Sequence, residues 1–61
     1  MTNEEFAALV SRIRQSMNCS KELAAEYATA IGETPEVENG RILVRNEKGL
    51  IIAYVPASVL G

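Results

Sequence analysis

The chain has 61 residues, with six lysines and arginines against eight glutamates for a net charge of −2, one cysteine and no histidine. That length holds one domain, residues 1–61, burying roughly 60% of the surface its unfolded chain exposes, so the core alone is marginal. Cys19 has no disulfide partner within the chain, the commonest zinc ligand and general base are absent, and self-association or strong local structure is left to supplement the core.

The first residues, MTNEEF, are acidic and carry no basic region followed by a long apolar run, so no secretory leader is expected. The longest apolar run is far short of about 18 residues, so no membrane span or membrane partner is expected. A lone thiol fits a reducing, cytoplasmic setting. Thr2 followed by Glu5 is a capping-box pattern and predicts a helix start. Phe6, Leu9, Val10, Ile13 and Met17 then fall within an arc about 100° wide on a helix, which marks them as core. Glu4 and Glu5 at the start, with Arg12 and Arg14 toward the end, suit the helix dipole.

Asn18 or Ser20 caps a second predicted helix, SKELAAEYATAI, ended by Gly32. Its apolar residues are Leu23, Ala24, Tyr27, Ala30 and Ile31, with the alanines permitting close approach to the first helix. Cys19 lies at the start of this helix, where a dipole favours a thiolate, but no basic cluster adjoins it and an inert, partly buried thiol is expected.

Beyond Pro35 the period changes. Asn39-Gly40 is the preferred dipeptide of a two-residue type I′ hairpin, pairing a short strand at 36–38 with RILVR, Glu38 opposite Arg41 and Val37 opposite Ile42. NEKG, residues 46–49, matches a type I turn followed by a left-handed glycine. Regular pairing from that turn runs Arg45 with Ile51, Val44 with Ile52, Leu43 with Ala53 and Ile42 with Tyr54. Ile42, Val44, Leu50, Ile52 and Tyr54 then form the floor beneath the helices, and Leu43, Ile51, Ala53 and Val55 face away, beside Arg41 and Arg45. A tighter turn would exchange the faces of the last strand. In either register one apolar face of LIIAYV is left uncovered by the helices, to be covered by a second copy or by Ala57 to Leu60 folding back.

The expected architecture is α+β: two antiparallel helices on one face of a two- or three-stranded antiparallel meander, in the order ααββ. No phosphate-binding glycine loop, nucleophile–base set or full set of oxygen ligands is present, so no enzyme, cofactor or metal is expected. The glutamates at 33, 36 and 38 read as a solvated loop.

The expected function is a non-enzymatic protein-interaction module, a self-associating regulator or inhibitor that occupies a partner protein's surface. Its contact residues are Leu43, Ile51, Ala53, Val55, Arg41 and Arg45, and it is expected to form a homodimer through residues 50–55, by strand addition or face packing. Two alternatives remain. Arg41, Arg45 and Lys48 make a basic hairpin, and two helices before such a hairpin follow the element order of a winged helix; ETPEVENG, however, is too short for a recognition helix and contains a proline, so nucleic acid is not favoured. An acidic inhibitor of the phage type would instead mimic phosphates with Glu22, Glu26, Glu33, Glu36 and Glu38.

Overall fold

The computed structural model describes all 61 residues: helices α1 (Asn3–Met17) and α2 (Lys21–Ile31), strands β1 (Val37–Glu38), β2 (Arg41–Arg45) and β3 (Ile51–Pro56), and a terminal 3₁₀ turn, η1 (Ala57–Leu60). The strands form one antiparallel sheet in the order β1-β2-β3, and both helices pack on the same sheet, α2 against β2 and α1 against β3 and η1. This is the expected α+β layer, in the three-stranded form of the meander.

Local chemistry accounts for the helix limits. The Glu5 amide donates to Thr2 Oγ1 at 3.1 Å and the Thr2 amide donates to Glu5 Oε1 at 3.3 Å, completing the capping box. Asn18 ends α1 in the left-handed region, and Ser20 Oγ accepts from the Leu23 amide at 3.2 Å to start α2. Gly32, at φ 62° and ψ −148°, ends α2 in a conformation that side chains disfavour.

Ten residues are buried, all apolar: Leu9, Val10, Ile13, Ala24, Ala28, Ile31, Ile42, Val44, Val55 and Val59. The α1 stripe is as expected, with Phe6 and Met17 at its margins. The α2 stripe is rotated. Ala24, Ala28 and Ile31 are buried, Leu23 and Tyr27 are half-buried, and Ala30 is exposed. Small side chains at 24 and 28 let the α2 backbone approach its neighbours, and the bulkier Leu23 and Tyr27 are displaced to the flanks.

Both hairpin turns form as the sequence predicts. Asn39 and Gly40 adopt φ 54° and 75°, as a type I′ turn requires, with Val37 opposite Ile42 and Glu38 opposite Arg41. At the second turn the Gly49 amide donates to Asn46 O and the Asn46 amide to Leu50 O. Asn46 Oδ1 also accepts from the Lys48 and Leu50 amides, so the turn is bonded from within.

The pairing beyond that turn differs from regular extrapolation. Arg45 pairs with Ile51 as expected, but Val44 pairs with Ala53, Leu43 with Tyr54, Ile42 with Val55 and Arg41 with Pro56. Ile52 is the extra residue of a β-bulge, and one extra residue exchanges the faces of all that follow. Val55 is therefore fully buried and Ala53 half-buried against the core, whereas Leu50, Ile52 and Tyr54, expected beneath the helices, are exposed. The physical reason is volume and polarity. Ile42 and Val44 of β2 lie under alanine-lined α2, β3 with Ala53 and Val55 packs on α1, and no polar side chain is buried anywhere; Tyr54 in that layer would bury a phenolic hydroxyl.

Beyond β3 the chain turns toward α1. The Ala57 amide donates to Gly40 O at 2.9 Å, Val59 is buried, and Arg12 Nη1 donates to Val59 O at 3.4 Å. Ala57 to Leu60 thus close the helix side of the molecule, not the outward face of the sheet.

Candidate interaction surface

The face of the sheet turned from the helices carries Glu36 and Glu38 from the first strand region, Arg41, Leu43 and Arg45 from β2, and Ile51 and Tyr54 from β3. Alternation along β2 places these residues together, because Ile42 and Val44 point into the core. The Arg45 guanidinium meets Glu36 Oε1 at 3.0 Å and donates to Gly49 O at 2.8 Å. The Arg41 guanidinium lies 4.8 Å from the centroid of the Tyr54 ring, a cation–π contact. Between them Leu43 is half-buried and Ile51 is 41% exposed, around a shallow depression of about 150 Å³ also lined by Glu38 and Asn39.

Of the contact residues expected from sequence, Leu43, Ile51, Arg41 and Arg45 share this face. Ala53 and Val55 do not: the bulge turns both toward the helices, and Val55 offers no surface at all. Tyr54 takes their place on the outward face, a residue that regular pairing put inside. A signal for it existed, since an arginine and an aromatic on diagonal positions of neighbouring strands make a favourable pair.

Lys48 is exposed in the turn at the hairpin tip, beside Gly49, whose carbonyl accepts from Arg45. Arg45 is ion-paired with Glu36 and Arg41 lies over the Tyr54 ring, so two of the three cations have intramolecular partners. The five glutamates of the phosphate-mimic alternative are scattered. Glu22 and Glu26 border an open groove of about 640 Å³ between α2 and the hairpin tip, floored in part by Ala25, Ala30 and Ile52. Glu33 pairs with the N-terminal ammonium, Glu36 with Arg45, and Glu38 lies on the outward face.

The lateral edge of β3 is open, since β2 is its only strand neighbour. The Leu43 amide donates to Glu36 O, so the Leu43 backbone bonds toward β1 and its partner Tyr54 directs its N–H and C=O away from β2. No charged residue occurs from Leu50 to Gly61. Leu50, Ile51, Ile52 and Tyr54 are between 41% and 61% exposed, concentrating exposed apolar side chains on this one strand and its approach. The accessible surface, 4280 Å², exceeds the roughly 3,900 Å² expected for a 6.6 kDa folded monomer.

Cys19 is half-buried against the core. No cluster of three or more histidine, cysteine or acidic side chains is placed to hold a metal, and no helix is long and apolar enough to cross a membrane. The one clear electrostatic perturbation lies away from the sheet: hydrogen bonds from the Thr2 backbone amide, and then from its hydroxyl, lower the Glu5 carboxyl from its ordinary value. Comparison with protein-family models, with curated proteins and with solved structures finds no match to this chain.

Proposed function

We propose that the protein is a non-enzymatic interaction module that self-associates through residues 50–55 and acts by occupying the surface of a partner protein. The observation that carries this reading is the uncovered apolar surface of β3 and its approach, which neither the helices nor η1 screens from water. Leu43, Ile51 and Tyr54 with Arg41 at their side have the composition favoured in protein interfaces, where an aromatic and an arginine anchor an apolar centre. The rim of Glu36, Glu38 and Arg45 supplies orientation more than affinity. Nucleic-acid binding has less support, because two of the three hairpin cations already have intramolecular partners.

Sedimentation equilibrium tests the reading over concentrations from about 10 µM to 1 mM, the range in which a small interface associates. The expected result is reversible self-association that Ile51→Glu abolishes while far-UV circular dichroism is unchanged. A wild-type chain that stays monomeric throughout overturns it.

A further inference from the structure

We infer that the second copy adds edge to edge: β3 of each protomer pairs antiparallel about a two-fold axis at Tyr54, making one continuous six-stranded sheet. This rests on the self-association reading and specifies its geometry.

The edge itself selects the register. Pro56, opposite Arg41, faces the open side with no N–H to donate, and Ile52 sits in the bulge. Leu50 is already bonded on both backbone groups, its N–H to Asn46 Oδ1 and its C=O to the Asn46 amide. Ile51, opposite Arg45, also directs its N–H and C=O to the open side but lies between the turn and the bulge, so Tyr54 is the residue with both groups in regular strand geometry there. One such pair suits an isologous contact, in which the two copies of Tyr54 exchange N–H···O=C bonds across the axis.

Side chains agree with that register. Directly opposed residues of an antiparallel pair share a face. Ala53 then lies beside the partner's Val55, both on the helix side, and the two Tyr54 rings lie side by side on the outward face. Edge strands commonly carry a charge that prevents such pairing. Here no charge occurs from Leu50 to Gly61, so the two-fold brings no like charges together along the strands.

The available area sets the strength. Exposed parts of Leu50, Ile51, Ile52 and Tyr54 amount to on the order of 400 Å² per copy, half of the roughly 800 Å² that each partner contributes to a standard interface. A weak, reversible dimer is expected, because the area falls well short of a standard interface. It would set the two outward faces beside each other on one surface, doubling the platform offered to a partner protein.

Two substitutions separate edge pairing from face packing. Ile52 lies at the strand edge on the helix side, where it lines the groove against α2, and Leu43 lies on the outward face of the central strand. Edge pairing predicts that Ile52→Lys weakens dimerisation by about tenfold or more, whereas Leu43→Lys changes it less than about threefold. Amide exchange gives an independent reading on the unmodified chain, because the Tyr54 amide gains protection with rising concentration only if it enters a strand pair. Loss of the dimer in Leu43→Lys but not Ile52→Lys, or a Tyr54 amide whose exchange ignores concentration while the chain dimerises, overturns edge pairing and leaves self-association standing. A monomer at all concentrations overturns both.

Discussion

Replacing Val55 by alanine tests the phase of β3 directly, because Val55 is fully buried and Tyr54, one residue earlier, is 47% exposed. Val55→Ala removes the equivalent of two buried methylenes, about 1.6 kcal/mol of transfer free energy. A residual cavity of about 40 Å³ adds about 1 kcal/mol, for a total of about 2.5 kcal/mol. A chain of 61 residues is expected to have about 3–9 kcal/mol of stability in all, so this one change removes a large share. In urea, with a slope near 1 kcal/mol/M, the unfolding midpoint falls by about 2.5 M. Tyr54→Ala loses the contact with the Arg41 guanidinium and part of an exposed ring, a cost of about 1 kcal/mol or less. The assay is urea unfolding followed by far-UV circular dichroism at low micromolar protein, where association adds little to apparent stability. Should Tyr54→Ala prove the more damaging, the bulge at Ile52 is misplaced and the tyrosine lies beneath the helices.

Two further perturbations address the turn and the capping box. Gly49 has φ 81° and nothing within 4 Å of where a Cβ would stand, so Gly49→Ala is opposed by backbone conformation alone and should cost about 1 kcal/mol in the same urea experiment. A neutral Gly49→Ala would mean that the hairpin is not closed by a left-handed residue there. The lowered Glu5 carboxyl gives stability that is present above its unfolded value, near 4.5, and is lost as pH falls through the lower folded value. Glu5→Gln should flatten that acid limb of stability against pH, and an unchanged limb would remove the carboxylate from the cap.

The elements with local chemical signatures were legible from residues alone. Thr2, Glu5 and Ser20 mark helix starts by hydrogen bonds within three residues, and Asn39-Gly40 and Asn46 to Gly49 determine their turns by backbone preference. Even Arg45 opposite Ile51 follows from the turn beside it. The bulge did not, because LIIAYV is apolar in either phase and periodicity carries no information across an unbroken run. What chooses the phase is a long-range comparison of volume and polarity: Ala53 and Val55 of β3 fit the core that α1 closes, and Tyr54 there would bury a phenolic hydroxyl. The same misjudged phase exchanged Tyr54 for Val55 at the candidate surface. The rotation of α2 has a related cause, since hydrophobicity ranks Leu23 above Ala28 whereas close packing rewards the smaller residue.

The bond from Arg12 to the Val59 carbonyl spans 47 positions of sequence. The two helices and the two hairpins each join neighbouring segments and require only short loops to close, so they can form rapidly and separately. The docking of η1 and β3 against α1 is a different event, because it links the first element to the last and has the longest loop to close. During synthesis α1 emerges with Leu9, Val10 and Ile13 already in a stripe, but it has no sheet to cover until Val55 and Val59 have followed. The stripe on α1 therefore stays uncovered until β3 and η1 follow, the contacts that chain order leaves to the end.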